Sequence, residues 1–144
     1  MAREDKGHYA MKHRAERKAN EAIVGAVREK TSSGKISCAA AFGIAKNSGV
    51  PPEEVGFTID HLEVTIVKCQ LGLYGYSPKK CIIEPAETVT SEMEHAIRAS
   101  MVNERIQCAA AWEVARKLNV GKIDVASACE ALRIKISSCQ LGAF

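Results

Sequence analysis

Residues 36–72 of this chain return, without a gap, as residues 106–142. Cys38-Ala39-Ala40-Ala41 is repeated as Cys108-Ala109-Ala110-Ala111, and Cys69-Gln70-Leu71-Gly72 as Cys139-Gln140-Leu141-Gly142, both seventy residues later. An ungapped duplication keeps its loop lengths, so one supersecondary unit is used twice. A copy of roughly fifty residues is near the size at which burial only just offsets chain entropy, so the copies are expected to share a core or to pack closely.

The pattern divides the chain into a basic arm (1–19), a first repeat (20–74), a connector (75–90) and a second repeat (91–144). Asn20 is placed to cap a helix running to about Lys30, with Ile23, Ala26 and Val27 as its apolar side. Thr31-Ser32-Ser33-Gly34 breaks that helix, and Lys35-Ile36-Ser37 reads as a short extended piece. Cys38, Ala41, Phe42 and Ala45 then fall on one face of a second helix. Gly49 ends it, and Asn119 stands at the same place in the second copy. Glycine and asparagine are the residues that best tolerate a left-handed helix C-cap, so the turn is expected to be shared.

A third helix starts at Pro51-Pro52 and turns Val55, Ile59 and Leu62 inward. The alternating, β-branched stretch 64–68 reads as a strand. In the connector, Cys81-Ile82-Ile83 is a further candidate strand. Ser91 with Glu94 has the pattern of a capping box. The second copy predicts helices over 92–101, 108–118 and 122–132 and a strand over 133–137. In Cys-Gln-Leu-Gly, glycine suits a positive-φ turn, leucine an anchor and glutamine a hydrogen bond.

Ile44-Ala45, Gly49-Val50 and Val55, repeated as Val114-Ala115, Asn119-Val120 and Val125, resemble the helix-turn-helix signature. A small alanine lets two helices cross closely, the residue four positions on makes the turn, and apolar residues lock the second helix. With a short strand on either side, each unit resembles a winged helix with a reduced wing. The fold class expected is therefore mainly α with short β: two tandem helix-turn-helix repeats. The resemblance implies a DNA-binding regulatory protein, a homodimer, whose third helix would enter the major groove.

Charge argues against that last step. Helix three of the first copy carries Glu53, Glu54, Asp60 and Glu63 and no Lys or Arg, which opposes binding to a phosphate lattice. The positive charge lies elsewhere. Residues 1–18 hold Arg3, Lys6, Lys12, Arg14, Arg17 and Lys18 against three acids, a net +3, while the rest of the chain is formally neutral. The arm, with Lys79 and Lys80, is thus the expected contact to double-stranded DNA. The alternative is an interaction module whose acidic helix (Glu53, Glu54, Asp60, Glu63) docks on a basic protein.

Six cysteines in a chain without a secretory signal read as thiols, not as a disulfide scaffold. Cys38 and Cys108 open their helices, where the dipole favours thiolate. Cys69 and Cys139 follow the strands. If the strands pair, each copy brings two thiols to one end of a small sheet, a third possibility being a thiol- or metal-responsive regulator. No Cys-x-x-Cys spacing supports a metal, so no cofactor is expected. Cys129 aligns with Ile59 and should pack inside, whereas Cys81 has no counterpart. No phosphate loop, nucleophile–base arrangement or paired carboxylates are present, so an enzyme is not expected. The apolar runs are too short to span a membrane, and a cytoplasmic protein is the default.

Overall fold

A computed structural model describes residues 19–144. It is mainly helical: six helices hold 48% of the described residues, and four three-residue strands accompany them. The elements run α1 (Glu21–Lys30), β1 (Lys35–Ser37), α2 (Cys38–Ser48), α3 (Pro52–His61) and β2 (Thr65–Val67). They continue as α4 (Ser91–Ala99), β3 (Arg105–Gln107), α5 (Cys108–Leu118), α6 (Lys122–Ala131) and β4 (Lys135–Ser137).

Local chemistry explains most boundaries. Asn20 Oδ1 accepts the Ala22 N–H at 2.9 Å and caps α1. After α1, the Ser32 and Lys35 backbones exchange two hydrogen bonds of 2.9 Å around Ser33 and Gly34, both at positive φ. Two positive-φ residues in a two-residue loop make the hairpin turn that feeds β1. The second copy repeats it with Asn103 (φ 52°) and Glu104 (φ 65°).

Helices α2 and α5 stop in the same way. Gly49 (φ 66°) and Asn119 (φ 54°) are left-handed. The Val50 N–H donates to Ala45 O at 3.1 Å, and Val120 N–H to Ala115 O at 3.0 Å. This is the Schellman pattern, which satisfies carbonyls the helix end would otherwise leave open. The same device closes α3 and α6 at Glu63 (φ 54°) and Arg133 (φ 60°), where no glycine announces it. The ranges expected for α2 and α5 thus agree with the structure.

Two expectations need correction. The cap of α4 is Thr90, whose Oγ1 accepts from Met93 N–H at 3.1 Å; Ser91 is the first helical residue. With an extended ψ of 154°, Thr90 directs its hydroxyl at the open N–H groups of the first turn. Cys81-Ile82-Ile83 forms no strand: Ile82 N–H donates to Gly72 O at 2.9 Å, and no ladder forms around it. The α6 start is closed by Asp124, whose Oδ2 accepts the Gly121 N–H at 3.0 Å.

Strands β1 and β2 pair in parallel, Ile36 opposite Ile66, as do β3 and β4, Ile106 opposite Ile136. Parallel neighbours need a long crossover, here supplied by α2–α3 and by α5–α6. The described residues form two compact units. Unit 1 runs up to Cys69 and adds Gln140–Phe144; unit 2 is Gln70–Cys139. In unit 1, Ile23 and Val27 of α1, Ile36, Ala41, Ile44, Val55 and Ile59 are buried. In unit 2, Leu71, Ile97, Ile106, Ala111, Val114, Val125 and Cys129 are buried.

The unit limits cut through Cys-Gln-Leu-Gly in both copies. Leu71 is buried in unit 2 and Leu141 in unit 1, and Gly72 and Gly142 take φ of 77° and 81°. Burying a leucine contributes roughly 1.5–3 kcal/mol, so each serves as an anchor. Within unit 1 the Leu141 backbone lies directly on Gly56 of α3. A Cβ at 56 would stand 2.8 Å from the Leu141 carbonyl carbon. A glycine in mid-helix costs about 0.5–1 kcal/mol against alanine, and this close approach is its return.

Two outcomes follow from these backbones. Glu104→Gly should raise stability by about 0.5–1 kcal/mol in urea denaturation, because a non-glycine at φ 65° is strained where the first copy has Gly34. Gly56→Ala should lower stability by about 1–3 kcal/mol despite better helix propensity, since the Leu141 backbone must shift.

Candidate functional site

The six basic residues of the arm, Arg3, Lys6, Lys12, Arg14, Arg17 and Lys18, lie outside the described residues. Lys79 and Lys80 are exposed at a turn that closes with Tyr76 N–H donating to Lys80 O at 3.2 Å. Both ammonium groups are therefore presented to solvent from a backbone held on each side, a suitable footing for phosphate contacts.

Helix α3 is shaped otherwise. Val55, Gly56, Phe57, Thr58, Ile59 and Asp60 are all buried, six consecutive residues that cover every face of the helix. A helix covered all round cannot enter a groove. Asp60, expected on an open acidic face, is only 5% exposed and so is withdrawn from any docking partner. Glu54 is half-buried; Glu53 and Glu63 remain at the surface. Helix α6 is more open: Ile123 is 42% exposed, and Asp124, Glu130 and the following Arg133 are at the surface.

Unit 2 holds a polar cluster that the sequence does not announce. Lys122 Nζ lies 4.2 Å from the Trp112 ring centroid and donates to Gln70 Oε1 at 3.3 Å. An ammonium over an indole face contributes about 0.5–2 kcal/mol. The signal was available in two substitutions between the copies. Phe42 becomes Trp112 and Pro52 becomes Lys122, placing an aromatic face and a cation beside a retained glutamine.

Nearby on α5, Arg116 donates to both Glu113 carboxylate oxygens. The arginine's hydrogen bond holds the Glu113 carboxyl below its usual range, and the carboxylate raises the guanidinium. Arg98 donates to Glu94 at 2.8 Å on α4. These two arginines are thus already engaged by acids and are weaker phosphate ligands than the turn lysines.

The parallel ladders bring the C-terminal ends of β1 and β2 together, and likewise β3 and β4. Cys38 directly follows β1 and Cys69 lies just beyond β2; Cys108 and Cys139 repeat the placement. The six cysteines are thiols. Cys38, Cys69 and Cys108 are buried, Cys139 is half-buried and Cys81 exposed. Among the described residues, no group of three or more His, Cys, Asp or Glu side chains is arranged to hold a metal. Cys129 is buried inside α6 and desolvation pushes its thiol up to about 11. Burial disfavours the charged thiolate, so this cysteine packs as an apolar residue.

A groove of about 390 Å³ lies in unit 2 between α6 and the end of the connector with the start of α4. Glu84, Thr88, Thr90, Met93, Asp124 and Ser127 line it, and Ala86 N–H donates to Ser127 O at 3.1 Å beside it. Its two acids and lack of a basic side chain make it unsuited to an anion. His61 and His95 are exposed on helix surfaces.

No protein-family model, curated protein or solved structure gives a significant match to this chain.

Native alkylation with iodoacetamide at pH 8, read by peptide mass mapping, should modify Cys81 first and Cys129 last, at least tenfold more slowly. The unfolded Cys129 thiol ionises near 9.0 and the folded one near 11, so its contribution is present below pH 9 and lost as pH climbs to 11. Cys129→Val should accordingly lose less stability than the wild-type chain across that interval in urea denaturation.

Proposed function

We propose that the chain is a small DNA-binding regulator of tandem helix-turn-helix type that grips the sugar-phosphate backbone through basic segments. In this reading α2 and α3 form one helix-turn-helix, α5 and α6 the other, and the strands are what remains of a wing. The left-handed turn at Gly49 and Asn119, with its bond back to Ala45 and Ala115, carries the reading. It is the turn that such a pair of closely crossing helices needs. The parallel strand pairing departs from a winged helix, so the wing is not used for contact here.

Sequence-independent contacts fall to the arm and to Lys79 and Lys80, because α3 is covered and acidic. Backbone neutralisation of this kind gives affinity that depends steeply on salt and little on base sequence. The protein acts without a catalytic step and without a cofactor, in the cytoplasm, as a homodimer whose two arms reach one duplex. Among the described residues, no helix is long and apolar enough to cross a membrane.

A second reading is favoured by the surface position of Glu53 and Glu63. There the chain is an interaction module, and a basic protein docks beside α3. Reversal of both charges separates the two: it abolishes capture of a basic partner and leaves DNA affinity equal or higher.

Fluorescence anisotropy with a labelled duplex across 50–200 mM salt tests the first reading. Affinity should fall steeply with salt, and Lys79→Ala with Lys80→Ala should reduce the log–log slope by about 1–2. Removal of residues 1–18 should reduce it further. Absence of binding, or binding indifferent to salt and to both changes, would overturn the reading.

A further inference from the structure

Unit 1 is completed by a piece of chain that arrives from elsewhere. Its body ends at Cys69, and Gln140–Phe144 joins it only after β4, which belongs to unit 2. Within that piece Leu141 is 2% exposed and Ala143 is also buried. The seat beneath it is specific. Gly56 admits the Leu141 main chain to a distance that no side chain would allow. The residue at the same place in α6 is Ala126, so the seat as built exists once per chain.

We propose that this seat accepts Gln140–Phe144 from a second copy of the chain, and that two molecules associate by exchanging the segment. The contacts that complete unit 1 are the same whichever chain supplies the segment: the same Leu141 on the same Gly56. Exchange therefore changes only the hinge and the entropy of association. The hinge is Ser138-Cys139, between β4 and the segment. Ser138 stands at φ 54°, a left-handed conformation that an L-residue adopts at a cost, and opening the hinge releases it. Reciprocal exchange between two chains fills both seats and is isologous, so it closes at two copies.

This inference gives a route to the homodimer of the proposed function and rests on that reading only there: the DNA contacts of the arm, Lys79 and Lys80 are tested separately by anisotropy, and the exchange by mass. The occupant is specified by chemistry: a Gln-Leu-Gly-Ala-Phe segment that turns at Gln140–Leu141 and bends at Gly142, whose leucine is buried and whose backbone meets a glycine.

Full-length chain unfolded in guanidinium and refolded at increasing concentration, followed by size-exclusion chromatography with light scattering, tests it. A species of twice the 15.6 kDa chain mass should rise with refolding concentration and persist for hours on dilution. An excess of the peptide Gln-Leu-Gly-Ala-Phe during refolding should reduce it severalfold. Gly56→Ala and Leu141→Asp chains, folded by circular dichroism, should each remain monomeric. An equimolar mixture should restore a heterodimer, because one chain keeps an open seat and the other an intact segment. A wild-type chain that stays monomeric at every concentration, a dimer indifferent to the peptide, or one retained in Leu141→Asp would overturn the proposal. Should either variant fail to fold, the wild-type and peptide arms decide.

Discussion

The hydrogen bond from Val50 N–H to the Ala45 carbonyl, with its duplicate from Val120 to Ala115, decides where each second helix stops and in which direction the chain leaves it. Everything downstream depends on that direction. It sets the path of α3 and α6, which determines where β2 and β4 arrive, and so whether they can lie beside β1 and β3. The left-handed residue that permits it is glycine in one copy and asparagine in the other, two solutions to one steric problem.

This turn was legible in the sequence because its chemistry is local: few residues tolerate the conformation, and the offset of the repeat pointed to the same place twice. The α1 cap was legible for the same reason, as Asn20 reaches its own N–H groups two and three residues on. Features set by distant chain were not. Asp60 and Glu54 carry surface chemistry, yet the burial of α3 depends on what lies over it, and part of that cover is Leu141, far along the sequence. Cys81-Ile82-Ile83 has strand composition but no neighbour with a matching edge, and β-propensity without a partner forms no ladder. Thr90 and Ser91 are both cap formers, and the local ψ chose between them.

The candidate site was less legible than the fold. Two exposed turn lysines and the inertness expected of Cys129 followed from charge and alignment. The Lys122–Trp112 contact arises only where the copies differ, so a search for what repeats passes over it. The two units thus share a backbone and spend it differently. One uses Gly56 to receive the Leu141 main chain; the other uses Lys122 to hold a cation on the Trp112 indole.

The partition of Cys-Gln-Leu-Gly has an evolutionary reach. Duplicated genes often shrink back to one copy by deletion, because each half is self-sufficient. Here the anchor encoded at the end of the first half is buried in the second body, and that of the second half in the first. Loss of either half would strip the survivor of a core leucine. As folded, neither half carries at its own end the leucine that fills its body, and the crossing ties the two copies into one chain.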